Sequence, residues 1–298
     1  MGKNKNPNFN YCGIPNEEEE AYYLNALTFV DIYKRLKLLA TNRYKWENLP
    51  DSCNAMYLEE TLFEYGLSAF INDKTLGFLN TKCVGEDTIN IYNIPIRYKC
   101  YGNMYDETFD TDDIVLVRNN SLMLPDRSTI EIYARKLTNA ERTIDVNINA
   151  QKTPTVILCE ESKRLSMINA AKKYTGNVPF IFGTKEFNLD DFKTLDLKAE
   201  YIADKIQEYK RSVYGEILTY LGINNVDFEK KERLTDDEVN VNNGLIQNYA
   251  EIGLAYRQQA AEQFNKKWNK NISVKKRSLN ELKMFDSLGV MNNEQIHN

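Results

Sequence analysis

Three aspartates stand close together in FDTDDI: Asp110, Asp112 and Asp113. Carboxylates at this spacing can gather a hard cation such as Mg2+ for phosphoryl-transfer or nuclease chemistry. Such a site wants a second acidic cluster at matching spacing, and the chain has none of convincing form. The plainer account is a polar loop leading into the apolar run IVLV. The junction Asn149-Ala150-Gln151-Lys152-Thr153-Pro154 could meet a phosphate through Lys152, but the phosphate-loop pattern G-x-x-x-x-G-K-[ST] is absent. A helix end turned by Pro154 explains that segment as well. The single histidine, His297, leaves no candidate base for a core Ser-His-Asp or Cys-His system. The five cysteines, Cys12, Cys53, Cys83, Cys100 and Cys159, form no C-x-x-C. Their odd number favours reduced thiols over a disulfide framework or a zinc site. Catalytic and metal-binding residues are therefore both expected to be absent.

The remaining candidates are cations. Lys3 and Lys5 lie in an Asn-rich, Pro-broken start over residues 1–16, expected to be a flexible tail. Lys198, Lys205, Lys210 and Arg211 fall on a long predicted helix, where such residues ordinarily face solvent. Lys230, Lys231 and Arg233 fall in NVDFEKKERLTDDEVNVNN, residues 225–243, among Asp227, Glu229, Glu232, Asp236, Asp237 and Glu238. A net-acidic loop makes a poor tight clamp for a polyanion, but it suits a surface that must let phosphate slide. With a formal charge of −5, the whole chain is not a general nucleic-acid coat. It has 42% hydrophobic and 27% charged residues, ordinary for a globular chain with a sizeable core. No apolar run of a signal peptide opens it, and no window reaches the roughly 18 apolar residues of a membrane span.

The elements that must position these cations follow from periodicity. NEEEEAYYLNALTFVDIYKRLKLLATNRYKW runs from acids to bases, as a helix dipole prefers, and Pro50 stops it. Leu24, Leu27, Tyr33, Leu36 and Ala40 are its expected anchors. A shorter helix is predicted from about Met56 to Phe70, then a β-rich stretch over 76–118. A second long helix spans 126–150, with Ser128 and Glu131 as a capping box and Ile132, Leu137, Ile144 and Ile148 as anchors. TPTVILC and VPFIFG, joined by the helical SKRLSMINAAKKYTG, make a small α/β piece. Apolar residues from Leu195 to Leu221 predict a third long helix of about 25 residues, roughly 38 Å, ended by Gly222. A fourth carries Leu245, Tyr249, Ile252, Tyr256, Ala260, Phe264 and Trp268. ISVKKR is a short strand, and Ser278–Gly289 a terminal helix.

Four of these segments have a wider meaning. YKWENLP (44–50), INAQKTPTVIL (148–158), GNVPFIF (176–182) and EILTYLGINNVDFEKKERLTDDEV (216–239) resemble, in order and spacing, the portal connector or upper-collar proteins of small short-tailed bacteriophages. The resemblance runs from about residue 20 to 290 and is strongest at 148–158 and 216–239. It implies an α+β, mainly α, portal fold with long stem helices, a small β-rich clip, an α/β wing and a helical crown. The layout it implies is a stem helix and lead-in to the clip at 17–57, a clip at the narrow end at 58–123, a stem helix at 124–152, a wing and long stem helix at 153–224, a channel loop at 225–243 and a crown at the wide end at 244–298. The implied protein is a non-enzymatic ring, twelve-fold by resemblance, at one capsid vertex of the virion, assembled in the host cytoplasm. DNA passes through its channel during packaging and ejection. It needs no cofactor and contacts no membrane. Its partners are double-stranded DNA, a packaging ATPase with or without a packaging RNA, a lower-collar or tail protein, and the major capsid and scaffold proteins. By the same resemblance Lys230, Lys231 and Arg233, in EKKER, and Lys205, in ADKI, contact DNA. A second lysine position of the family's stem falls on Asp196 here, with Lys198 as its substitute. Two rivals from other classes are a neck or tail adaptor with no channel, and a metal-dependent nuclease using the three aspartates.

Overall fold

The computed structural model describes the backbone of residues 17–151, 155–158, 180–183, 200–224 and 236–277, and the side chains of 22–151, 200–224 and 244–277. In chain order the described elements are α1 (Glu17–Thr41), β1 (Tyr44–Glu47), α2 (Ala55–Tyr65), β2 (Leu67–Asp73), β3 (Gly77–Gly85), β4 (Arg97–Gly102), β5 (Tyr105–Asp110), β6 (Val115–Arg118), α3 (Arg127–Ala150), β7 (Thr155–Leu158), β8 (Phe180–Gly183), α4 (Ala203–Tyr220), α5 (Asp236–Trp268) and β9 (Ser273–Lys276). They fall into two compact units, one drawn from Met1–Leu137 and Val213–Asn298, the other from Thr138–Ser212. The α+β class with long helices is as expected.

The first unit has two layers of core. Leu36, Leu39 and Ala40 of α1, Ile130, Ala134 and Leu137 of α3, and Val213, Ile217, Leu218 and Leu221 of α4 bury against one another. Each fully buried Leu or Ile there contributes about 1.5–3 kcal/mol. The anchors differ from the predicted ones in part. Leu27, Ile132 and Ile148 are exposed, whereas Ile130 and Ala134 are inside. The stripe of α3 is therefore set by small and β-branched residues two positions away. The Ser128 capping box is also displaced. The helix already begins at Arg127, with the Ile130 N–H donating to the Asp126 carbonyl.

The second layer surrounds a five-stranded antiparallel sheet in the order β5-β4-β3-β2-β6. Two helix expectations give way here. The predicted Met56–Phe70 helix ends at Tyr65, because Gly66 takes a left-handed φ of 76° and caps it by donating to the Leu62 carbonyl. A Cβ at Gly66 would lie 2.0 Å from the Met123 carbonyl oxygen, so only glycine fits. The run LSAFIND that follows is β2, the sheet's central partner of both β3 and β6. It is buried on both faces and shows no polar–apolar alternation. YKW, predicted to close the first helix, is instead β1, which pairs with β9: Tyr44 opposite Lys276 and Trp46 opposite Val274. Nothing local announces a partner so far along the chain.

The implied layout put residues 58–123 and 244–298 at opposite ends of a channel. Phe70, Val115 and Val117 of the sheet share one core with Ala260, Ala261 and Phe264 of α5. Phe264 lies edge-on to Phe70 at 5.0 Å and to Trp268 at 4.7 Å, and Phe78 is 5.5 Å from Trp268. Residues 58–123 and 244–277 are thus packed together on this shared aromatic core.

In the second unit β7 and β8 pair in parallel, Val156 opposite Ile181. Parallel pairing requires a crossover connection, in keeping with the predicted α/β piece, whose helix falls outside the described residues. Helix α4 starts at Ala203, not near Leu195, since residues 200–202 are not helical. The Asn147 amide explains this. It donates to the Glu200 carbonyl at 2.8 Å and accepts the Ile202 N–H at 3.0 Å, capturing groups a helix would have used. Helix α5 starts at Asp236, inside the predicted loop 225–243. Thr235 followed by Glu238 is a capping-box pattern, and the acids of TDDE suit a helix start.

Candidate functional site

Of the cations singled out for DNA contact, Lys205 is the one whose side chain is described. It projects from the first turn of α4 and is 75% exposed. Among the described residues it pairs with Glu200 at 3.4 Å. Asp204, Glu208 and Arg211 are exposed on the same helix, so this face carries both signs of charge. Lys210 is withdrawn from it, paired with Glu141 in the same unit. Such a face has little net attraction for phosphate, and a single lysine on it presents a weak, salt-sensitive contact. Lys3, Lys5, Lys198, Lys230, Lys231 and Arg233 lie outside the described residues, as do Lys152 and His297.

The structure does describe what holds the two ends of the segment carrying Lys230, Lys231 and Arg233. Helix α4 closes with a paired set of hydrogen bonds, Gly222 N–H to the Thr219 carbonyl and Ile223 N–H to the Leu218 carbonyl, both 2.9 Å. Gly222 has φ 67°, and a Cβ there would sit 2.5 Å from the Ala250 backbone nitrogen of α5. The end of α4 and the flank of α5 therefore meet backbone to backbone. This is the helix stop expected at Gly222.

Beneath that contact lies a buried polar hub that sequence analysis missed. Arg257 of α5, 1% exposed, grips Glu59 of α2 bidentately: Nε donates to Oε1 and Nη2 to Oε2, both at 2.8 Å. Nη2 also donates to Asn119 Oδ1 at 3.1 Å and Nη1 to the Gly253 carbonyl at 2.9 Å. Trp46 Nε1 donates to the same Glu59 carboxylate at 2.8 Å. The Arg257 guanidinium lies 4.3 Å from the Tyr44 ring, and Tyr44 Oη donates to the Ala250 carbonyl at 3.1 Å. Next to it, Arg43 Nη2 donates to Asp126 at 2.5 Å and Nε to the Ala40 carbonyl at 2.9 Å. Tyr220 Oη donates to the other Asp126 oxygen at 3.0 Å. Burial opposes the charge on Arg43, and the Asp126 carboxylate more than offsets it, raising its pKa. Burial, then Asp126, push the Tyr220 hydroxyl up to about 12. The hub links β1, α2, α3 and both helices flanking residues 225–235. Its one legible signal was Arg257 itself, a charge on the face that Gly253, Ala260 and Phe264 bury.

The aspartates form no centre. Asp110 pairs with Arg97 at 3.1 Å, Asp112 and Asp113 are exposed in the turn, and the Asp112 carbonyl accepts from Lys267. Among the described residues no group of three His, Cys, Asp or Glu could hold a metal ion. Nor is any described helix long and apolar enough to cross a membrane.

The profile of the family described as Phage Connector (GP10) matches residues 17–280, through both units. The chain belongs to the phage connector family. It is a bacteriophage connector protein. The connector is also similar to a chain of the solved "Portal and tail of native bacteriophage P68", at 16% identity, over 93% of this chain and 96% of that one, with a TM-score of 0.46. Connectors are structural rather than enzymatic.

Proposed function

We propose that the connector closes into a ring at one capsid vertex, with a central channel through which double-stranded DNA enters during packaging and leaves at ejection. The observation that carries this reading is the family match over residues 17–280. Surface chemistry supports it. Tyr22, Leu27 and Val30 of α1, Ile132 of α3, and Leu245, Tyr249 and Ile252 of α5 are all exposed. A lone copy would leave these helix stripes in water, and a heterologous ring contact would cover them. The ring itself hydrolyses no nucleotide. A packaging ATPase docks on it, and later a lower-collar or tail protein. The contacts to capsid and scaffold proteins belong to the same reading.

Within that ring the segment 225–235 hangs into the channel between α4 and α5, and Lys205, Lys230, Lys231, Arg233 and Lys198 touch passing phosphates. The shared core of 58–123 with 244–277 supports placing both ranges in one part of each subunit. Negative-stain microscopy with native mass spectrometry tests the ring: closed rings with a central hole are expected, and a stable monomer across salt conditions overturns the reading in favour of a channel-less adaptor. Side views of rings tagged in the turn at Lys74–Leu76, or between Gly183 and Glu200, test the layout.

A further inference from the structure

Cys83 of β3 and Cys100 of β4 stand directly opposite each other. Three residues further along the same ladder, the Glu86 N–H donates to the Arg97 carbonyl at 3.0 Å, which marks 86 and 97 as a hydrogen-bonded pair. Such pairs alternate with non-hydrogen-bonded ones in antiparallel strands. Counting back through 85 opposite 98 and 84 opposite 99 makes 83 and 100 a non-hydrogen-bonded pair. At these positions Cα atoms lie about 4.5 Å apart and opposed side chains approach most closely. That lies within the roughly 4.4–6.8 Å span of disulfides. Both side chains are buried on one face of the sheet, beside Ile71, Tyr98 and Ala69, and both thiols are free. The strands already hold them in the register a bond requires.

We propose that Cys83 and Cys100 are a latent cross-strand disulfide site, closed after folding by a two-electron oxidant such as molecular oxygen. The two thiols lose two protons and two electrons, the S–S bond forms, and oxygen is reduced to hydrogen peroxide. The chain folds with both thiols reduced, and the bond closes once the protein leaves a reducing compartment. Burial pushes the Cys83 thiol well above its ordinary range and Cys100 up to about 11, so few thiolates are present and closure is slow.

The position of the bond gives it a consequence. It closes the base of the hairpin loop 86–96, which presents Ile91 at 89% and Tyr92 at 74% exposure. The loop is already ordered by one side chain. Asn90 Oδ1 accepts the N–H groups of Tyr92 at 2.9 Å and Ile94 at 3.1 Å, and the Asn90 N–H donates to the Ile94 carbonyl at 2.9 Å. The covalent link removes the remaining freedom at its root and fixes the direction in which this apolar tip points.

The test uses the full-length connector, folded, treated with copper-phenanthroline in air, then denatured and alkylated for non-reducing peptide mapping. The expected product is a linked peptide pair containing Cys83 and Cys100, an intact mass lower by two hydrogens, and reversal by dithiothreitol. Thermal unfolding should shift upward by several degrees, and Cys83→Ser and Cys100→Ser should each abolish both changes. Full alkylation of both thiols after oxidation overturns the proposal, and so does their capture by Cys12, Cys53 or Cys159. Either outcome leaves ring formation to be judged separately.

Discussion

Arg257 and Lys205 are both cations on long helices, and their surroundings give them opposite work. Arg257 is buried, held by a bidentate carboxylate, a carbonyl, an amide oxygen and an aromatic face. Its charge costs heavily to desolvate, so it persists only because all three guanidinium nitrogens are directed at partners. Lys205 is three-quarters exposed and, among the described residues, pairs loosely with Glu200. It contributes little to folding and remains available to a passing anion. A cation that fixes architecture and one left open to solvent are separated by burial and geometry, not by residue type.

Four measurements bear on that contrast, from the largest expected effect to the smallest. Glu59→Ala leaves the buried Arg257 charge unpaired and should cost about 3–5 kcal/mol in chemical denaturation. A loss under about 1 kcal/mol would break the view of the hub as the architectural centre. Gly222→Ala forces a side chain into left-handed backbone against Ala250 and should cost about 2–3 kcal/mol. Gly244→Ala on α5, where a Cβ meets nothing within 4 Å, should instead stabilise by about 0.5–1 kcal/mol. Equal effects would mean the α4–α5 contact does not anchor these helices.

The third measurement is a pH titration. The Tyr220 hydroxyl has a folded pKa of about 12 against 10.0 for the free group. A raised acid favours the folded state below the unfolded value, and that contribution is lost as pH climbs from about 10 to 12. Stability should fall across that window in the wild type and fall less in Tyr220→Phe. The fourth concerns the exposed cations. Lys205→Gln, and the pair Lys230→Gln with Lys231→Gln, should change stability by less than about 0.5 kcal/mol. They should spare ring assembly and weaken retention of packaged DNA. Normal retention by the triple variant would remove these residues from the channel assignment.

The elements themselves were largely legible. Three- and four-residue spacing located α1, α3, α4 and α5, glycine marked the end of α4, and β-branched runs announced the sheet. Misplaced boundaries had local causes that a non-local contact decided. Gly66 turns α2 aside because the Met123 backbone presses on it, and Asn147 delays α4 by taking its backbone partners. The candidate site was legible only as a resemblance, since exposed lysines carry no pattern that separates a lumen from an ordinary solvent face.

By itself, the sequence determined that the chain holds several long helices and a β-rich stretch, that several helices carry apolar stripes, and which family it belongs to. Each of these rests on neighbours within a few residues or on motif order along the chain. Only the tertiary structure decided that Tyr44–Glu47 pairs with Ser273–Lys276, that Arg257 finds Glu59 across 198 residues, and that the sheet and α5 share one core. A strand edge or a buried charge states what kind of partner it needs but not which segment supplies it. That choice is made only when the whole chain has closed on itself and water has been excluded.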